Sequence, residues 1–135
     1  MTNMKQITIK VAWNNSAFEG LVSSETSYGE MKIVTKDFND IIDMGEAELK
    51  IGFDGYTEFG LELPEWYKNK EYEFVYKFQD VTAMLKAYSS YVSLAAISRE
   101  TGINSALLSH YANGLKVPRN KQQKIIVSGL HRIGA

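Results

Sequence analysis

The 135-residue sequence predicts an α+β protein in two parts, a β-β-β-α module followed by an all-α helix-turn-helix domain. Three observations carry this prediction. Apolar and polar side chains alternate with period two through residues 6–12 and 17–22, the repeat of half-buried strands. Beyond residue 78 the apolar spacing changes to three and four, and a glycine turn separates two short helical stretches. Charge divides at the same place. Residues 79–135 hold seven Lys/Arg against two acids, a net +5, whereas residues 1–78 hold eight Lys against fourteen acids, a net −6. The near-neutral total hides one part suited to polyanions and another suited to something else.

In chain order, Gln6 to Ala12 reads as a first strand, Trp13-Asn14-Asn15-Ser16 as a break, and Ala17 to Val22 as the partner in a hairpin. Met31 to Val34 predicts a third short strand, with Thr35 placed to cap the helix that follows. In that helix Phe38, Ile41, Ile42, Gly45 and Leu49 recur at helical spacing among acids gathered near its favourable end. Residues 51–63, where Ile51, Phe53, Phe59, Leu61 and Leu63 are interspersed with glycines, suit another strand and turn. Pro64 to Lys70 is the best linker candidate, because proline and a polar cluster interrupt both periodicities. The expected division is therefore an acidic α/β module at 1–70, a connecting strand at 71–78, and the helical domain at 79–135. Tyr72, Phe74 and Tyr76 share one face of the connecting strand and are the candidate dimer interface.

After Phe78, the stripe of Val81, Met84, Leu85 and Tyr88 predicts a leading helix. In the motif itself Gly102 supplies the permissive turn, Asn104 is placed to cap the second helix, and Ile97, Ile103 and Leu108 pack between helices. Ser98 offers a small side chain for a close crossing. Asn113-Gly114 ends the second helix, and a closing helix follows Pro118 with Ile125, Ile126, Gly129, Leu130 and Ile133 on one side. The exposed positions of the second helix are Ser105, Ala106, Ser109, His110 and Asn113. An α-helix fits the DNA major groove, and residues near its start face base edges; Ser105, Ala106, Ser109 and His110 are the candidate base readers. Lys116, Arg119 and Lys121 follow where a phosphate backbone would pass. One short helix makes few base contacts, so a dimer on palindromic double-stranded DNA is expected.

From Ile97 to Gly114 the sequence resembles the Cro-like, Xre-type family of phage repressors. The resemblance implies base contacts from Ser105, Ala106 and His110, and phosphate contacts from Ser93, Asn104, Asn113 and the basic loop. Serine and alanine stand here where longer amides are common in that family, which shifts specificity towards DNA shape and backbone contacts. An acidic α/β module ahead of such a domain resembles antitoxins of the HicB type, on the order β-β-β-α, on Val34 to Ile42, and on the aromatic strand Tyr72 to Phe78. Val22 to Gly29 stands where that family carries a Leu-Pro-Gly-Cys stretch. The resemblance implies a partial RNase H-like fold that binds a toxin, and a C-terminal domain that represses its own operon. Charge agrees, since a module at −6 attracts a basic protein, and an RNA-cleaving toxin is itself basic in order to hold a polyanion. The rival reading is a stand-alone Xre-type regulator whose N-terminal domain dimerises or senses a ligand.

Catalysis is not expected. Glu19, Asp54 and Glu73 are the carboxylates to nominate for two-metal nuclease chemistry, but the first strand carries no Asp. The sequence has no phosphate-binding Gly-Lys-Ser/Thr loop and no His-Glu-x-x-His helix. No cofactor or metal is anticipated. Without cysteine, neither a disulfide nor a thiolate metal site can form. No apolar run approaches the roughly 20 residues needed to cross a bilayer, and the first residues lack the apolar stretch of a signal peptide. Cytoplasmic residence is expected.

Overall fold

A computed structural model describes residues 4–22 and 31–134. The stretch that stands in place of the Leu-Pro-Gly-Cys sequence falls mostly outside the described residues. The chain forms two compact units, one of Met1–Val11 with Ser16–Lys77, the other of Ala12–Asn15 with Phe78–Ala135. Among the described residues no helix is long and apolar enough to cross a membrane.

The first unit is built on a four-stranded mixed sheet in the order β3-β2-β1-β4. The strands are β1 (Lys5–Trp13), β2 (Phe18–Val22), β3 (Met31–Thr35) and β4 (Tyr72–Phe78). Strands β2 and β3 pair antiparallel with Gly20 opposite Ile33. Beside β1, the contacts Lys5 to Glu71 and Gln6 to Glu73 advance in the same direction, so β4 runs parallel to it. Alternation has its expected effect: Ile7, Ile9 and Val11 are fully buried on one face, with Phe18, Val22 and Ile33. A Cβ on Gly20 would sit 3.0 Å from Ile9 Cγ2, which is why this strand position is bare.

Helix α1 (Asp40–Glu58) covers that face, and here the structure corrects the sequence reading. Residues 51–58 are not strand but the last two turns of this helix. Ile41, Gly45, Leu49 and Phe53 are buried at a spacing of four, so burial of Phe53 extends the stripe across Gly52 and Gly55 despite their helix cost of about 1 kcal/mol each. Thr35 is not the cap either. Asn39 holds that position without a side-chain capping bond, and Thr35 Oγ1 instead accepts from the amide of Asp37, while the Asp37 carboxylate accepts from the Asn39 amide. Gly45 lets the helix approach the sheet, its Cβ position lying 3.3 Å from the Phe74 ring.

The expected linker is also folded. Pro64 begins a short helix α2 (Glu65–Lys68), whose Trp66 and Tyr67 rings lie 5.6 and 4.2 Å from Phe53. The strand expected to connect two domains is the edge strand β4 of the sheet. Its candidate dimer residues face inward. Tyr72 donates to Glu46 on α1 at 3.0 Å, Phe74 meets Gly45, and Tyr76 packs on Phe38 with ring centroids 5.0 Å apart. A sheet needs one face buried, and these rings are used in burying it.

Tyr72 carries a titratable consequence. Burial, reinforced by the hydrogen bond to Glu46 and that carboxylate's charge, pushes its phenol from 10.0 up to about 12. The folded state thus keeps a proton that the unfolded chain releases, so this group's contribution to stability is complete below pH 10.0 and is lost as pH rises through about 12. Spectrophotometric titration of tyrosinate should lose its most alkaline component in Tyr72→Phe; an unchanged alkaline limb would place that phenol elsewhere.

The second unit is all-helical: α3 (Val81–Tyr88), α4 (Leu94–Thr101), α5 (Ser105–Ala112) and α6 (Asn120–Ile133). Three helices are capped by the side chain preceding them, Asp80, Ser93 and Asn104, each accepting the amide three residues on. Leu85, Ile97, Leu108, Ile126 and Leu130 form a core with Met84, Ile103 and Tyr111. Thr82 Oγ1 donates to the Tyr111 carbonyl at 2.7 Å and ties α3 to the end of α5.

Candidate nucleic-acid interface

The geometry between α4 and α5 follows from three residues. Gly102 takes φ +76°, a left-handed conformation disfavoured for residues with a Cβ, and ends α4. Ile103 is then buried, anchoring the turn in the core. Asn104 Oδ1 accepts from the Leu107 amide at 2.8 Å and starts α5. Asn104→Ala should therefore destabilise this unit by about 1 kcal/mol, readable as a lower denaturation midpoint, with Asn104→Ser close to neutral.

Helix α5 buries Leu108, Tyr111 and Ala112. At about 100° per residue, Ala106, His110 and Asn113 lie on the opposite side, and Ser105 and Ser109 flank them, about 60° and 100° round from Leu108. Ser105 and Ala106 are exposed, Ser109 and His110 half-buried, so the face is reachable from solvent. It bears no acid. Asn113 Nδ2 donates to Ser109 Oγ at 3.4 Å. The chain leaves α5 through Gly114 at φ +75°, where the Leu115 amide bonds back to the His110 carbonyl at 2.9 Å. That closure fixes where Lys116 departs from the helix.

Both acids of this unit are engaged internally. Asp80 accepts from the amides of Ala83 at 2.7 Å and Trp13 at 3.2 Å, and Glu100 pairs with Arg132. Lys86 lies 4.2 Å from the centroid of the Trp13 ring. Among the described residues Arg99, Lys116, Arg119, Lys121 and Lys124 form no ion pair, and all five are exposed. Among the described residues no carboxylate cancels these five cations. Arg99 and Lys124 lie outside the motif's expected contacts and enter only through the charge count. Ser93 serves structurally as the cap of α4, its hydroxyl accepting from Ala96 at 3.1 Å.

The carboxylates nominated for nuclease chemistry are separately occupied: Glu19 pairs with Lys32, Asp54 with Lys50, and Glu73 accepts from Gln6. Among the described residues no group of three or more His, Cys, Asp or Glu side chains could hold a metal ion. In unit one a cleft of about 460 Å³ is lined by Glu46, Lys50, Leu63, Tyr67, Lys70 and Tyr72, among others. Comparison with protein-family models, curated proteins and solved structures finds no match for this chain.

Proposed function

We propose that this protein is a DNA-binding transcriptional repressor that acts as a dimer on a palindromic operator, without catalysis of its own. The observation that carries the reading is the acid-free polar face of α5, in a unit that exposes five cations paired with no carboxylate among the described residues. Such a face suits the major groove, and such cations suit the phosphates on either side of it. Ser105, Ala106, Ser109 and His110 read bases; Asn113, Lys116, Arg119 and Lys121 hold the backbone, with Ser93 and Asn104 presenting the helix N-termini to phosphate.

The finer reading is an antitoxin of the HicB type, in which the acidic unit neutralises a small, basic, RNA-cleaving toxin and the helical unit represses the shared operon. Its support is the charge division and the β-β-β-α order of unit one. The cleft beside Tyr67 and Tyr72 favours the other reading, a stand-alone regulator that senses a ligand. The test of the common core is fluorescence anisotropy with a duplex from the protein's own promoter at two salt concentrations. Binding should weaken linearly on a log–log plot of affinity against salt, with preference over a scrambled duplex. Equal, salt-insensitive affinity for both duplexes refutes it.

A further inference from the structure

Apart from Phe53, several of the apolar residues that imitate a strand at 51–63 are not core residues, and their exposure needs a physical account. Phe59 is 83% exposed, Ile51 66%, Leu61 56% and Met44 37%. Carrying the spacing of α1 on to Phe59, its C-terminal cap, Met44, Ile51 and Phe59 fall within about 80° of one another, beside the buried line of Ile41, Gly45, Leu49 and Phe53. Gly55 lies between Ile51 and Phe59 on the same line. A Cβ there would touch nothing within 4 Å, and no positive φ requires glycine, so the fold itself does not call for its absence. The result is a strip of two large apolar side chains with a notch between them.

Charge identifies the occupant. Helix α1 carries six acids and one lysine, and that lysine is paired with Asp54. Asp40, Glu48 and Glu58 lie along the strip, and Asp43 flanks it. A second copy packed across a twofold axis would set these acids against themselves, a like-charge juxtaposition that opposes association. A cationic partner would meet complementary charge and bury Phe59 and Ile51. We propose that the Met44–Ile51–Gly55–Phe59 strip of α1 is the docking surface for a basic protein segment that inserts one apolar side chain over Gly55. This rests on the reading of unit one as a partner-binding module and names the surface that does the binding.

The test uses the full-length chain and a fluorescein-labelled synthetic helical peptide of about 18 residues, with leucine at heptad a and d positions and lysine elsewhere. Two control peptides replace every lysine by glutamate or every leucine by alanine. The leucine–lysine peptide should bind best. Phe59→Ser and Ile51→Ser should each weaken it about tenfold, and Gly55→Gln should do the same while leaving the fold at least as stable, because it fills the notch and improves helix propensity. Leu21→Ser, an exposed apolar residue on β2, should leave affinity unchanged. If no peptide binds the wild type, the partner-binding reading of unit one fails. If the peptide binds but Phe59→Ser and Gly55→Gln leave its affinity unaltered, or the alanine peptide binds equally well, only the surface assignment fails. Sedimentation showing a wild-type dimer abolished by Phe59→Ser would make a second copy the occupant and overturn the proposal. Promoter binding by each variant should match the wild type, which separates this result from the DNA-binding reading.

Discussion

Gly129→Ala is expected to lower the unfolding midpoint of the helical unit by about 10 °C, the equivalent of about 2 kcal/mol of overpacking. The added Cβ would lie 2.5 Å from Thr101 Cγ2, closer than carbon atoms approach. The threonine has little freedom to swing away. Its Oγ1 donates to the Ile97 carbonyl at 2.8 Å and accepts from the Ile103 amide at 3.2 Å. Rotating the methyl aside breaks both bonds, and with them the turn that aims α5. The insult is therefore local to packing but should be felt in DNA affinity as well as in stability. Thr101→Ser removes the methyl and keeps the hydroxyl, so the double variant should recover most of the loss. Calorimetry of the four combinations measures this, and a double variant no more stable than Gly129→Ala alone would disprove the clash as the cause.

The second large effect is on affinity. Replacing both Lys116 and Arg119 by alanine should reduce the dependence of log affinity on log salt by about two, one for each phosphate that the variant no longer neutralises. At low salt the affinity should fall by about 100-fold, whereas the ratio between the promoter duplex and a scrambled one should change little, because phosphate contacts position the protein without reading sequence. His110→Ala should show the opposite pattern, a reduced ratio with the salt slope retained. Both cations are exposed and form no ion pair among the described residues, so neither substitution removes a described contact that would confuse the result. An unaltered slope in the double variant would remove the loop from the interface.

How much of the fold and of the candidate interface is legible in the sequence differs between the two units. In the helical unit nearly every determinant is local. A side-chain cap at Asn104, left-handed glycines at 102 and 114, and the spacing of Ile97, Ile103 and Leu108 are properties of short segments, and they appear in the structure where the residues imply them. The close approach of α6 to α4 is the exception: its key residue is Gly129 against Thr101, 28 positions apart in sequence.

In the acidic unit the alternating strands are equally plain, but three elements depend on neighbours that no local pattern names. The glycines of 51–58 suggest strand and turn because intrinsic propensity disfavours them in a helix; burial of Phe53 against Trp66 and Tyr67 outweighs that cost. Pro64 to Lys70 suggests a linker because polarity conceals two aromatic rings that pack inward. Tyr72, Phe74 and Tyr76 look like an available face until α1 is laid across them.

Charge, strand alternation and capping chemistry are carried by individual residues and by period, so the sequence alone determined the acidic and basic division, the first three strands and the two helices of the motif. Which apolar face is covered, where two helices touch closely enough to require glycine, and which side chains remain uncovered on α1 are questions of three-dimensional partnership. Burial energy belongs to pairs of surfaces brought together by the fold, and only the tertiary structure decides which surfaces those are.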